Sequence, residues 1–599
     1  MRYAMEVFMI PKIFDRIRRI FRHIARLNRR WKLLTIRKIL FLPHILSPSE
    51  QRLLLFLGAV WALAGAGLAG RAYVGLTHPI PAIGGSYTEG VIGSPRAVNP
   101  LYGARDSDRD LERLIFSGLL AYDGTGNIRP DLAQRHEISQ DGKIYTVVLR
   151  ENALWHDGAR VDADDVVFTI KRIQNAQYKS PFRANWQGVD AEKIDERTVR
   201  FTLRTPYAPF IENLTQGIIP RHLWENVEPA SAPLHELNLR PVGSGPYAFK
   251  QMKTQSDGSV LWYTVRRNQN YYYNEGPYLK EITLMFYATE DDMLTAWRRG
   301  DIEGFGPISQ AHARALDRDR ATILSLTIPR IFSVFLNPRE ALPLADKKVR
   351  DAIARAIDKE TVVRAASGGA IVADTILPIS GASAPASPEQ FAPFSPEQSK
   401  KILDGAGWKD ANQDGVREKK IVVNRKTATQ TLRFTLATGD SPELERAAEL
   451  IKTMLADIGV AVEIRKRSFA DLEQTIIRPR AFDMLLFGQV YGYEPDPFSF
   501  WHSSQIKDPG LNVALFSNKQ ADRALESARR ETRRAARTAL YREFSAIAAQ
   551  EIPAVPLYTQ RYLYLIPPDI RGIDITKISL PSDRFNDISY WYRKTKRVW

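Results

Sequence analysis

"LRENALWHDGARVDADDVVFTIKRI", residues 149–173, sets a histidine beside an aspartate and follows them with three more carboxylates. As a metal or catalytic cluster it would make the chain an enzyme; as scaffold it is a strand, a turn and a helix. Upstream, "KIYTVVL" is rich in β-branched and aromatic residues and predicts a strand, entered from the turn pair Asp141-Gly142. His156-Asp157-Gly158 is a second Asp-Gly turn, and "DADDVVFTIKRI" predicts a helix with Asp162 at its N-cap. Asp165 then falls at the third helical position, the spacing of a capping box. Asp164 lies in the first turn, where free amides and the helix dipole favour negative charge by about 0.3–1 kcal/mol per group. The carboxylates have a structural use, and the stretch reads as scaffold.

Nothing elsewhere in the chain restores the enzymatic reading. No H-E-x-x-H, G-x-S-x-G elbow or P-loop occurs, and "GSGPYAFK" (243–250) places Lys250 wrongly for phosphate. His156 has no ligand partner at metal spacing, and His222, His235, His312 and His502 are equally solitary along the chain. There are no cysteines, which excludes disulfides, thiolate nucleophiles, cysteine-ligated metals and a lipoprotein anchor. "DANQDGVRE" sets Asp410, Asn412 and Asp414 at alternate positions with Gly415 sixth, as in a calcium loop. The twelfth position, however, is Ile421 rather than glutamate, and Glu418 would coordinate only weakly, so a polar turn is the simpler reading. No cofactor and no metal are expected.

The 599 residues allow two to four domains, and 44% hydrophobic with 25% charged residues is ordinary globular composition. The net charge of +16 is local: residues 1–52 carry 13 Lys and Arg against Glu6, Asp15 and Glu50, leaving 71 basic and 65 acidic residues beyond. A nucleic-acid partner is therefore not expected. The excess ends at "LLLFLGAVWALAGAGLAG" (53–70), 18 uncharged residues, enough to span a hydrocarbon core, with the basic flank on the cytoplasmic side. Two readings stay open: an uncleaved signal anchor over 53–76, or a signal peptide cut near Gly67-Leu68-Ala69. Ahead of it, Ile13, Ile17, Ile20, Ile24, Leu27 and Trp31 recur at helical spacing among arginines, a basic amphipathic helix suited to an anionic inner leaflet.

Beyond a Pro/Gly linker, "THPIPAIGGS" (77–86), strands and helices alternate as in α/β layers. "TVRFTLRT" and "VAVEIRKRS" read as strands, and "SPELERAAELIKTMLADIG" reads as a helix. "QADRALESARRETRRAARTALYREFSAIAAQ" reads as one long helix with a solvated charged face, and residues 379–398 as a surface loop.

Several segments together resemble the bacterial extracellular solute-binding proteins of family 5, the peptide- and nickel-type receptors of ABC importers. They are "YDGTGNIRPDLAQRHEISQDGKIYTVVLRENALWHDG" (122–158), "RPVGSGPYAF" (240–249), "AWRRGDIEGF" (296–305), "VFLNPREALPLADKKVRDAIARAIDKE" (334–360), "YEPDPFSFWHSSQ" (493–505) and "IPAVPLYTQRYLYLI" (552–566). The resemblance implies a two-lobed, type II periplasmic-binding-protein-like α/β fold with an extra subdomain, preceded here by one transmembrane helix. It implies lobe I over 87–330, lobe II over 331–558 and a return to lobe I over 559–599, crossing at about "LTIPRIFSVFLN" and "LYTQRYLYLI". The two crossovers would serve as the hinge.

By the same resemblance the ligand is an oligopeptide held by strand-like hydrogen bonding and delivered to ABC permease subunits with a separate ATPase, at the periplasmic face of the inner membrane. A carboxylate four residues before the proline of the motif "YEPDPF" commonly holds the ligand amine in the family, and the matching position here is Tyr491. That departure admits a blocked peptide or another solute, such as a sugar, an opine or a metal chelate. The expected ligand contacts are Gln489, Tyr491 and Tyr493, with Asn337 and Tyr102. A membrane-tethered ligand sensor is the competing function, and an exported hydrolase is disfavoured for want of a nucleophile–base pair.

Overall fold

In the computed structural model, which describes residues 47–273, 276–316, 320–366, 370–378, 391–423 and 426–599, two long strands decide the architecture. Thr322–Leu336 and Ala554–Ile566 are antiparallel partners rich in β-branched and aromatic residues. Their pairing is regular from Thr322 opposite Ile566 to Thr327 opposite Arg561, breaks, and resumes with Ile331 opposite Thr559. On one side of the break, Leu326, Ile328, Tyr562 and Tyr564 join a core with Tyr87, Leu111, Val265 and Trp591. On the other, Ile331, Val334, Val555 and Tyr558 join a core with Leu436, Ile451, Leu485 and Phe544. The chain changes core twice, each time within a few residues, and this makes the fold two-lobed.

One eleven-stranded sheet runs through both lobes, with the crossing strands near its middle and the short strand Ile371–Val372 paired to Ala554–Ile566 off the main path. On the lobe II side lie Met484–Val490, Arg433–Gly439 and Ala461–Arg467. On the lobe I side lie Gly304–Phe305, Ser86–Ile92, Glu281–Tyr287, Val260–Arg267 and Tyr247–Thr254. Parallel and antiparallel neighbours mix, the expected outcome of helical crossovers combined with hairpins. A separate antiparallel sheet orders Ala133–Ile138, Ile144–Leu149, Thr198–Leu203 and Val189–Lys193, and the helix Ala163–Gln174 follows its second strand.

That helix puts the carboxylates of 162–165 to structural use. Asp162 accepts from the amides of Asp164 and Asp165, and the Asp165 carboxylate takes the Asp162 amide, closing the capping box. Asp165 also receives Trp155 Nε1 (3.1 Å) and the Arg221 amide (2.7 Å), tying the helix start to its surroundings. His156 lies between Gly243 N and Gly245 O, at 3.2 and 3.0 Å, and burial pushes its imidazole down to about 4. It is a neutral bridge between two loops. The histidines that look solitary along the chain do acquire partners in space: His222 meets Asp157 at 2.7 Å and His312 meets Glu290 at 2.9 Å.

The long helix expected over 520–550 is two helices, Lys519–Arg530 and Arg534–Glu551, packed on each other. The break is held by Arg537, which donates to the Glu531 carbonyl at 2.9 Å. The charged face is also not wholly solvated. Arg529 and Arg537 are partly buried against Asp496 and Glu494, because the two lobes meet there.

Two compact units result, Met1–Ile80 with Lys596–Trp599, and Pro81–Thr595. In the first, Ser47 caps a 29-residue helix, Pro48–Leu76, whose start precedes the expected span because Glu50 completes a capping box with Ser47. It has mean hydropathy 2.0 over its most apolar stretch and is long and apolar enough to cross a membrane. The sequence expected to be linker contains a strand, His78–Ala82, paired with Lys594–Val598. The basic amphipathic segment over 13–31 and most of the loop over 379–398 lie outside the described residues, and the helix Pro396–Gly405 takes up that loop's end.

Candidate ligand-binding site

The end of strand Met484–Val490 and the loop after it carry three of the five expected contacts, Gln489 in the strand and Tyr491 and Tyr493 beyond it. Gln489 and Tyr491, two residues apart, point the same way, as alternation requires. They point into lobe II. The Tyr491 hydroxyl receives Trp501 Nε1 at 2.9 Å and lies 2.9 Å from Gln489 Oε1 and 3.0 Å from the Ile376 carbonyl. Burial pushes its phenol up, and its ring is 1% exposed within the lobe II core. Asn337 is fully buried, donating to the Arg480 carbonyl and accepting the amides of Arg339 and Glu340, which makes it the cap of a turn. Tyr102 packs on the lobe I core, burial pushes it up to about 12, and its buried hydroxyl has no partner among the described residues.

Tyr493 behaves differently. It leaves lobe II and lies on Tyr122 of lobe I, ring centroids 4.2 Å apart, with its hydroxyl 3.3 Å from the Lys577 carbonyl. Gly126, at φ +83°, makes room: a Cβ there would come within 2.5 Å of the Tyr493 ring. Tyr493 stands four residues before Pro497 of the same "YEPDP", as Tyr491 stands four before Pro495. The structure brings Tyr493 to a cavity and leaves Gln489, Tyr491, Asn337 and Tyr102 off its wall, although Gly103 beside Tyr102 lines it.

The cavity holds about 290 Å³ and lies where the lobe II residues Gly492 and Tyr493 meet lobe I. Its wall is charged, with Arg109, Arg113 and Arg129 facing Glu112, Glu212 and Asp583. Arg113 pairs with Asp583 at 3.1 Å. Glu212 is less compensated: it accepts the Glu494 amide at 2.7 Å, has no cation within 4 Å among the described residues, and burial pushes it up to about 7. Burial likewise pushes Glu112 up to about 7, against the opposing pull of Arg113 and Arg109. Arg129 Nε is buried without a partner among the described residues. Such a wall suits a small polar guest carrying both charges.

The lobes are also tied to each other away from this wall: the Ala208 amide donates to the Arg529 carbonyl (2.7 Å), Tyr207 Oη to Asp496 (3.2 Å), and Arg534 to Asn127 (3.3 Å).

Residues 127–509 match the family described as bacterial extracellular solute-binding proteins, family 5 (middle region). The chain belongs to that family. The oligopeptide-binding protein AppA of Bacillus subtilis is 28% identical over 526 residues, 86% of this chain and 93% of AppA. The dipeptide-binding protein of Escherichia coli is 23% identical, over 80% and 90% of the two chains. Among solved structures, AppA from Bacillus subtilis with a nonapeptide superposes with TM-score 0.64 at 26% identity, covering 86% of this chain and 99% of that one. NikZ from Campylobacter jejuni with Ni(L-His) gives TM-score 0.65 at 25% identity, covering 85% and 99%. Family 5 membership accounts for the two-lobed fold. It does not by itself identify Tyr122, Glu212, Arg129 or Asp583, whose only shared signal is the place to which the fold brings them.

The acidic loop at Asp410 is a turn closed on itself. Asp410, Asp414 and Glu418 lie within reach of one another, but Asp410 accepts the Asp414 and Gly415 amides and Asp414 pairs with Arg433.

Proposed function

We propose that this chain is an extracytoplasmic receptor, with no chemistry of its own, that encloses a short peptide between its lobes and hands it to the permease of an ABC importer. The observation that carries this reading is the charged cavity at the lobe seam, closed on the lobe II side by Tyr493. Glu212 offers an unneutralised carboxylate to a ligand amine, and Arg129 an unused donor to a ligand carboxylate. The peptide ligands in the names of AppA and the dipeptide-binding protein support the class. A volume of about 290 Å³ favours a short peptide over a nonapeptide. Lobe I over 87–330 and 559–599 and lobe II over 331–558 are the working division, and Pro48–Leu76 serves as a retained anchor that keeps the receptor on the outer face of the inner membrane.

Mass spectrometry of ligand released from the purified full chain tests this. A mixture of short peptides is the expected result, and a single non-peptide solute or turnover of the bound molecule would overturn it.

A further inference from the structure

The apolar helix does not end freely. Arg597 Nη2 donates to the carbonyls of Val74 (2.7 Å) and Thr77 (2.9 Å), and its Nε donates to Thr77 Oγ1 (2.8 Å). A guanidinium thus satisfies carbonyls that a helix C-terminus leaves open, where the dipole favours a cation. Next to it the Trp599 indole meets the Tyr73 ring edge-on, centroids 6.0 Å apart, yet Trp599 stays 82% exposed and Tyr73 45%. Among the described residues no carboxylate lies within 4 Å of Arg71, Lys596 or Arg597. Two amphipathic rings and three cations without acidic partners therefore surround the end of one apolar helix.

Depth identifies what covers them. The uncharged run stops at Gly70, and Tyr73 is three residues on, about 4.5 Å further along the axis. Headgroup layers on either side of a hydrocarbon core of about 30 Å are roughly 5–7 Å thick, so Tyr73 falls within one, and Trp599 with it. Tyr and Trp are the residues enriched at that level, and phosphates there would match the cations.

We propose that Lys596–Trp599 form a clasp on the outer end of the helix that seats in the bilayer surface, with Tyr73 and Trp599 among lipid headgroups and Arg71 and Lys596 on anionic lipid phosphates. This rests on the helix being a retained anchor. The clasp holds Lys596–Trp599 at the membrane together with the helix Pro48–Leu76.

The absence of cysteine permits a direct test. A nitroxide on Val598→Cys in the full chain, reconstituted in phosphatidylcholine–phosphatidylglycerol vesicles, reports collision with oxygen against a water-soluble nickel chelate. The expected result is an oxygen-to-nickel ratio well above that of the same label on Leu234→Cys, an exposed site. Adding Arg597→Ala should bring the ratio down towards the Leu234 value, with the melting temperature of the receptor unchanged. A label at 598 as wet as at 234, in protein that sediments with the vesicles, would overturn the clasp. So would dryness that appears only when protein copies are crowded, which would point to a second chain. Protein that does not sediment with the vesicles would instead defeat the anchor reading itself.

Discussion

Arg584 shows how much one residue organises. It is 1% exposed and reaches Glu89 at 2.6 Å and both Asp110 oxygens at 2.7 and 2.5 Å, while Tyr564 donates to the other Glu89 oxygen at 2.5 Å. Strand, helix, crossing strand and final segment are joined at one buried cation. Removing it strands two buried carboxylates, so Arg584→Met should lower unfolding stability by about 3–5 kcal/mol in urea titration. Glu212 sets the second expectation at this scale. Its carboxyl titrates at about 7 in the fold against about 4.5 unfolded, so its protonated form is the stable one at low pH, and stability declines as pH rises from 4.5 through 7. A ligand ammonium needs the ionised form. Affinity for a free-amine dipeptide should therefore rise between pH 6 and about 7.5 by calorimetry, below the loss of the ligand's own ammonium at about 7.7–8. Glu212→Gln should lack that rise and bind more than about tenfold more weakly at pH 7.5, because a hydrogen bond to a charged group contributes about 1.5–3 kcal/mol.

At the scale of elements, local sequence signals held where a local cause existed. The N-cap at Asp162 and the strands Ile144–Leu149, Thr198–Leu203 and Ala461–Arg467 follow from side chains within a few residues of one another. The helix start also separates two carboxylates by role. Asp162 supplies only a cap, worth about 1 kcal/mol. Asp165 receives three donors in a buried setting, so Asp165→Ala should cost at least about twice what Asp162→Ala costs in the same urea titration. The single helix expected over 520–550 is interrupted between Arg530 and Arg534, next to an Arg529 carbonyl that accepts the Ala208 amide of a lobe I segment three hundred residues away in sequence.

For the whole molecule, the two crossovers and the seam are where the lobes join. Thr559 Oγ1 lies 3.1 Å from the Ile328 carbonyl and 2.5 Å from that of Arg330, so the crossing strands stay in register where the chain passes between cores. Rotation there would open the contacts of Glu212, Asp496 and Tyr493 together. Tyr493→Ala removes the aromatic closure and should weaken peptide binding by more than about thirtyfold, consistent with the 2 kcal/mol or more carried by a central buried aromatic. Small-angle scattering should show the parent contracting on peptide addition and Tyr493→Ala not contracting, with the same unliganded profile for both.

The amino-acid sequence by itself determined the family, the alternation of elements, the capping of the helix at Asp162, and an apolar helix able to span a membrane. Each rests on residues near one another along the chain, or on motifs spread over most of it. Tertiary structure alone decided that Tyr493 and not Tyr491 reaches the cavity, that Asn337 caps a turn, and that Glu212 and Arg129 share a wall. Two residues apart, Tyr491 and Tyr493 would face alike in a continuous strand, but the strand ends at Val490, and partners such as Tyr122 and Tyr493 are separated by hundreds of residues, so no local pattern tells which of the two reaches lobe I.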